Sequence, residues 1–408
     1  MKKIIIIGGG ASGLMAAISA SSMGKEVTIL ERNSACGRKL NICGKGRGNI
    51  TNTAKIADFI EAFGKNGKFL YSSFSKFFNN DLISYLESLG IKTIEERGGR
   101  VFPESQKAQD VTNALVKACQ DMKVHIKYGT VVKKIISIDE KISGIEVFGG
   151  VMKAHSVIIA TGGMSYSKTG STGDGYIFAK ELGHKIISPS PSICPIITQE
   201  DFVKEIAGLS LKNVEAKLIE ENEKVLAKEF GEMLFTHKGI SGPIILTLSK
   251  EISSENYDNL KIQIDLKPAI SIEEISNSLI KDFRENIMLK TYLLRRLPKS
   301  LALVFPHICN IPEDKKVNSI NTKERNIILN NLKSLTLTIK SLAPIEEAIV
   351  TKGGVCLDEI NSQTMESKLI KGLYFAGEVM DIDAKTGGYN LQAAFSTGYV
   401  AGMSAAKN

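Results

Sequence analysis

Residues 2–7 form a short apolar, β-branched run that stops abruptly at Gly8-Gly9-Gly10, and Gly8-x-Gly10-x-x-Gly13 opens the segment that follows. A run of this kind, bounded by glycine, reads as a fully buried strand. The residues after it predict a helix over Leu14–Met23 and a second strand over Glu26–Leu30. Strand, helix and strand in this order form a βαβ unit, which requires a parallel sheet and a right-handed crossover. Gly8 permits the tight turn, Gly10 lets a pyrophosphate approach the backbone, and Gly13 lets helix pack closely on strand. The start of the helix, Ala11 and Ser12 included, would then face the diphosphate. Glu31 ends the second strand, where a carboxylate accepts hydrogen bonds from ribose hydroxyls, and Arg32 follows it. These positions are read together as a dinucleotide site.

A segment near the other end of the chain selects the dinucleotide. Gly372–Glu378 reads as a buried strand ending in glycine and an acid, Gly377-Glu378. Such a strand resembles the second fingerprint of glutathione-reductase-like FAD proteins, in which the acid holds the ribityl chain. Gly387-Gly388-Tyr389-Asn390-Leu391-Gln392 then forms a glycine turn entering a helix. Aimed at a flavin pyrimidine, the free N–H groups at its start would stabilise negative charge by about 0.3–1 kcal/mol, or about 2 kcal/mol if partly buried. The expected cofactor is FAD, with Gly388, Asn390, Leu391 and Gln392 in that turn.

The chain has 408 residues, room for two or three domains. Short β-rich runs over Val124–Lys127, Val131–Ile138, Gly144–Phe148 and Ser156–Ala160 suggest a meander returning to the sheet, after a helix over 108–119. Pro189, Pro191 and Pro195 mark one seam, and Pro268 and Pro344 bracket a later segment. The reading is α/β: a discontinuous FAD-binding Rossmann domain over 1–188 and 345–408. Inserted in it are a β-barrel-like part, 189–268 plus 333–344, and a helical part, 269–332.

A net charge of +8 is modest for this length and would suit an anionic ligand. No long Lys/Arg block interleaved with aromatics is present, so nucleic acid is not the expected partner. The six cysteines are scattered without a C-x-x-C pair, which fits reduced thiols in a cytoplasmic enzyme. The apolar run at the start is too short for a signal peptide, and no stretch approaches the ~18 residues that span a bilayer. Nothing in the sequence specifies an oligomeric state.

With these pieces in place, the chain resembles the BaiN/YhiN-type flavoprotein family, which includes aminoacetone oxidase-like members. The resemblance rests on Gly8–Gly13, Glu31-Arg32, Gly37–Leu40 through Gly46–Asn52, Gly99–Pro103, and Ala160-Thr161-Gly162-Gly163 with Thr169–Tyr176. It continues through Gly231–Pro243, Thr351–Val355, Thr364–Lys368 and Gly372–Ala394. It implies a glutathione-reductase-type FAD domain with an inserted barrel and a small helical domain. It also implies that Arg38, Lys39, Asn49 and Thr51 lie along the flavin and diphosphate, and that the strand near Val132 meets the adenine. Two positions depart from the family's pattern: Gly48 stands where a cysteine often precedes Asn49, and Ser167 where a proline usually follows Ser-Tyr.

Cys36 and Cys43 are separated by six residues, too many for the redox pair of disulfide reductases, so ordinary thiols are expected. With no tryptophan in the chain, flavin halogenases, which need a W-x-W-x-x-I-P element, are excluded. His237, in a glycine-bounded loop, is the best-placed histidine for proton transfer; the other four show no metal-ligand spacing. No second G-x-G-x-x-G follows the meander, so NAD(P)H would bind transiently at the flavin face, without a domain of its own. The expected activity is an FAD-dependent, NAD(P)H-fed reductase of a small conjugated or carbonyl-containing substrate. An oxygen-using amine-type oxidase and a flavin-carrying redox-sensing or RNA-associated binding protein are the alternatives.

Overall fold

The computed structural model describes residues 2–252, 257 and 259–407. The chain folds as two compact units, one of Met1–Ser192 with Ala348–Asn408 and one of Ile193–Glu347. The first is built on five parallel strands: β1 (Lys3–Ile7), β2 (Glu26–Leu30), β3 (His125–Lys127), β4 (Ser156–Ile159) and β5 (Leu373–Phe375). Their spatial order is β3-β2-β1-β4-β5, so the direction of winding reverses between β1 and β4. Ile4–Ile7, Val157–Ile159 and Leu373–Phe375 are all buried, as expected of strands covered on both faces.

The helix after β1 runs Ala11–Ser21, beginning three residues before the expected position because the glycine turn itself supplies its first turn. It packs against the closing helix, Tyr389–Lys407. Contact is close because small residues line it: a Cβ on Gly398 would collide with the Ser12 carbonyl, and one on Gly402 with Ala16 O. The β-rich stretch after β2 divides in two. Residues 125–127 join the parallel sheet, and Val132–Ile138, Lys141–Val147 and Gly150–Lys153 form a separate antiparallel meander. Helices and a hairpin fill residues 56–103, where the local pattern predicts no elements although Gly99–Pro103 contributes to the family resemblance. The hairpin Thr93–Glu96 with Arg100–Pro103 pairs further with Thr51–Asn52.

The second unit contains a closed six-stranded barrel, in the order Ile196–Thr198, Gly239–Ser241, Val225–Thr236, Ser210–Glu220, Leu260–Asp265 and Leu335–Leu342. Closure leaves no open edge. Helices Ile272–Asp282, Leu289–Leu294, Lys299–Ile308 and Thr322–Lys333 occupy the segment read as helical. Ser271 and Asn321 cap two of them through capping boxes with Glu274 and Glu324.

Candidate active site

In an open parallel sheet, ligands bind beyond the carboxyl ends of the strands where the winding reverses. Here that crevice lies between the segments leaving β1 and β4, and the expected residues gather around it. A Cβ on Gly8 would sit 2.5 Å from Ala160 O, and one on Gly13 would strike Gly8 O. One on Gly10 would meet nothing within 4 Å. The first two glycines are therefore required by packing, whereas Gly10 borders open space. Leu14 N–H makes the first intrahelical bond, to Gly10 O, and leaves the N–H groups of Ala11, Ser12 and Gly13 ahead of it. This is a cradle for a diphosphate.

Glu31 is buried at the end of β2. Its Oε2 accepts from Gly9 N–H at 2.9 Å, and its Oε1 accepts from Asn33 N–H and Asn33 Nδ2, both at 2.8 Å. Thr130 N–H donates to Glu31 O, which draws residues 127–132, with buried Val132, alongside the acid. Arg32 reaches the loop after β4, donating to Asp174 Oδ2 at 2.8 Å and to Thr172. Arg38 donates to Asn33 Oδ1 at 2.7 Å.

Lys39 and Glu378 meet from opposite ends of the chain. Lys39 Nζ donates to Glu378 Oε2 at 2.6 Å and to Ser165 Oγ at 2.7 Å. Glu378 Oε1 accepts from Ser165 Oγ at 3.1 Å and Thr351 N–H at 2.7 Å. Glu378, expected beside a ribityl chain, thus has both carboxylate oxygens engaged by protein groups. Cys43 adjoins this pair. Its thiol donates to Lys39 O and is pushed up to about 11, chiefly by burial, so it stays protonated at neutral pH. Ser165 and Thr351 carried no expected role; Thr351 lies in a segment that contributes to the family resemblance, and Ser165 lies between two such segments.

Thr51 Oγ1 donates to Gln392 Oε1 at 2.6 Å, tying the strand at Thr51–Asn52 to the start of the closing helix. Gly388, at φ +99°, lets that turn press against the Thr51 carbonyl. Asn390 donates to Ala384 O and accepts from Ala384 N–H, bracing the preceding loop, and Leu391 is half-buried. Asn49 lies in the first loop, its N–H 2.9 Å from where a Gly44 Cβ would be. Thr161 and Gly162 leave β4, Gly162 at φ +74°. Gly377, at φ +76°, faces Ser12.

His237 belongs to the second unit. It is exposed in the turn between Val225–Thr236 and Gly239–Ser241, and its imidazole has no hydrogen-bond partner among the described residues. All six cysteines are free thiols. Among the described residues no group of three His, Cys, Asp or Glu side chains is placed to hold a metal, and no helix is long and apolar enough to cross a membrane.

A reversed-winding sheet with one glycine fingerprint at β1 and another after β5 defines a two-fingerprint, dinucleotide-binding flavoprotein. The family model for the HI0933-like protein Rossmann domain matches residues 2–404, and the chain belongs to that family. It is an FAD-dependent oxidoreductase. It is 31% identical to the 3-dehydro-bile acid delta(4,6)-reductase of Clostridium scindens, over 100% of both chains. It is 32% identical to the ribosomal RNA dihydrouridine synthase of Haemophilus influenzae, over 98% of this chain and 97% of that one. The fold is also similar to the 3-ketosteroid-delta4-(5alpha)-dehydrogenase of Rhodococcus jostii, with TM-score 0.56 and 14% identity, covering 100% of this chain and 97% of that one.

Proposed function

We propose that this protein reduces a carbon–carbon double bond conjugated to a carbonyl, using electrons from NAD(P)H delivered through FAD. The observation that carries the reading is the crevice between β1 and β4. It joins a diphosphate cradle to the Lys39–Ser165–Glu378 cluster, whose Lys39 ammonium favours a substrate that gains negative charge on oxygen. The two relatives point to one chemistry. A 3-oxo steroid with 4,6 unsaturation and a uracil ring each present a C=C bond conjugated to a carbonyl.

FAD, when bound, supplies hydride transfer. Gly8, Gly10, Ala11, Ser12 and Gly13 would hold its diphosphate. Glu31 would take the ribose hydroxyls, and Val132 would border the adenine. Lys39, Asn49, Thr51 and the turn at Gly388–Gln392 would line the isoalloxazine, with Arg32 and Arg38 bracing the nearby loop. Glu378 holds Lys39 in place. His237, whose exposed imidazole has no hydrogen-bond partner among the described residues, is the proposed proton-transfer residue. A cytoplasmic location accords with six unpaired thiols.

A nucleobase within RNA is the second reading for the substrate. The +8 charge excess resides in the first unit, the second being close to neutral, so the crevice belongs to the basic part of the molecule. Anaerobic mixing tests the reading. NADPH or NADH should bleach the flavin band near about 450 nm, and a conjugated ketone or uridine-containing RNA should restore it. Failure of both nucleotides ends the NAD(P)H assignment. Bleaching by an amine, with peroxide formed in air, would establish the oxidase instead.

A further inference from the structure

One loop at the crevice carries a donor with no acceptor among the described residues. Tyr166 follows Ser165 in the segment leaving β4, and its φ is +52°, the left-handed region that a bulky side chain rarely adopts. Its neighbours hold it there. Met164 N–H and Ser165 N–H both donate to Thr351 Oγ1, at 2.8 and 3.0 Å, before residue 166. After it, Thr169 N–H and Oγ1 donate to Tyr166 O, at 2.7 and 2.8 Å. Backbone strain fixed by clamps on both sides marks a side chain that must stand in one place.

That side chain is half-buried; burial, then Cys43, pushes the phenol's pKa up. The hydroxyl is therefore a neutral donor at physiological pH. Its cluster neighbours are committed: Lys39 to Glu378 and Ser165, Ser165 to Glu378, Cys43 to Lys39 O. Among the described residues the Tyr166 hydroxyl has no hydrogen-bond partner. An unspent neutral O–H, in the residue that follows Ser165 of the Lys39–Glu378 cluster, is the kind of donor that stabilises a developing oxyanion.

We propose that Tyr166 is a catalytic residue, its phenol donating a hydrogen bond to the carbonyl oxygen of the conjugated substrate. The inference rests on the reductase reading above. FAD, when bound and reduced, would supply the hydride for the new C–H bond at the β-carbon and be oxidised in doing so. The C=C π electrons move through the conjugated system, leaving an enolate whose oxygen accepts from Tyr166. The α-carbon then takes one proton from solvent, and the C=O bond re-forms. Tyr166 keeps its proton throughout.

The test compares FAD-loaded wild type with Tyr166→Phe, which keeps the ring and the backbone; matching FAD content and melting temperature verify the fold. Titration of the oxidised proteins with pentafluorophenolate, an enolate mimic, reads the donor without turnover. The variant should bind at least about tenfold more weakly, as expected for losing a hydrogen bond to a charged oxygen. In anaerobic single turnover, 4-androstene-3,17-dione or uridine should reoxidise the reduced variant about a hundredfold more slowly than wild type. Reoxidation by oxygen should be unchanged. Equal phenolate affinity in the two proteins overturns the assignment. If neither substrate probe reoxidises wild type, the reductase reading falls, and the phenolate comparison alone decides whether Tyr166 is an oxyanion donor.

Discussion

Thr51 and Gln392, 341 positions apart in the chain, share a 2.6 Å hydrogen bond, and both side chains are fully buried. Gln392 passes the link on through Ser396 to Phe77 O, so the start of the closing helix is locked to the strand at Thr51–Asn52. Replacing Thr51 by Val keeps the shape but leaves the amide oxygen without its donor. A loss of about 1–3 kcal/mol is expected, together with faster FAD release, measured by urea unfolding and by flavin fluorescence after dilution.

Gly10 and Gly13 separate cofactor binding from folding. An Ala at Gly10 meets no protein atom and its φ of −81° is ordinary, so Gly10→Ala should keep its melting temperature and purify without FAD. Gly13→Ala drives a methyl group into the Gly8 carbonyl. It should lose about 1–3 kcal/mol as well as the cofactor. Equal effects from the two substitutions would contradict the cradle assigned to Gly10.

The Lys39–Glu378 pair lies with 24% and 18% of its side chains exposed, so solvent only partly screens it. Lys39→Met leaves a carboxylate with a hydroxyl and one N–H for company, and a cost of about 1–3 kcal/mol is expected. The double variant with Glu378→Gln should cost less than the sum of the single ones, which a double-mutant cycle in urea measures.

Acid sensitivity should trace to His184. Its side chain is fully buried, Nδ1 lies 3.1 Å from Glu359 Oε2, and Nε2 lies 2.9 Å from Ser367 Oγ. Burial lowers the imidazole's pKa below its ordinary 6.5, while Glu359 opposes the shift. The unfolded chain therefore takes the proton first as pH falls. The stabilisation is complete above pH 6.5 and is lost progressively below it. Melting temperature should drop on acidification across that range, and His184→Gln should flatten the slope.

His237→Asn should slow substrate reduction about 10²-fold, while reduction of the flavin by NAD(P)H is unchanged. An unaltered rate would return His237 to the role of a surface residue.

What the sequence determined by itself is what short-range geometry encodes. The glycine spacing after β1, the acid ending β2 and the glycine turn before residue 389 are local requirements of backbone conformation, readable wherever they occur. The continuous β-branched run at residues 2–7 and the strand–helix–strand order announced the parallel sheet, and the proline seams announced a change of architecture near residues 189–195. Other features depended on tertiary structure. The meeting of Lys39 with Glu378, the clamp of Thr351 on residues 164 and 165, and the buried bond from Thr51 to Gln392 join segments more than 180 residues apart. No local pattern specifies such pairs, because chain order says nothing about which loop ends face one another until the sheet winds. The same holds for Tyr166, an ordinary residue in sequence, whose strained backbone and unspent hydroxyl exist only once the loop after β4 is clamped in place.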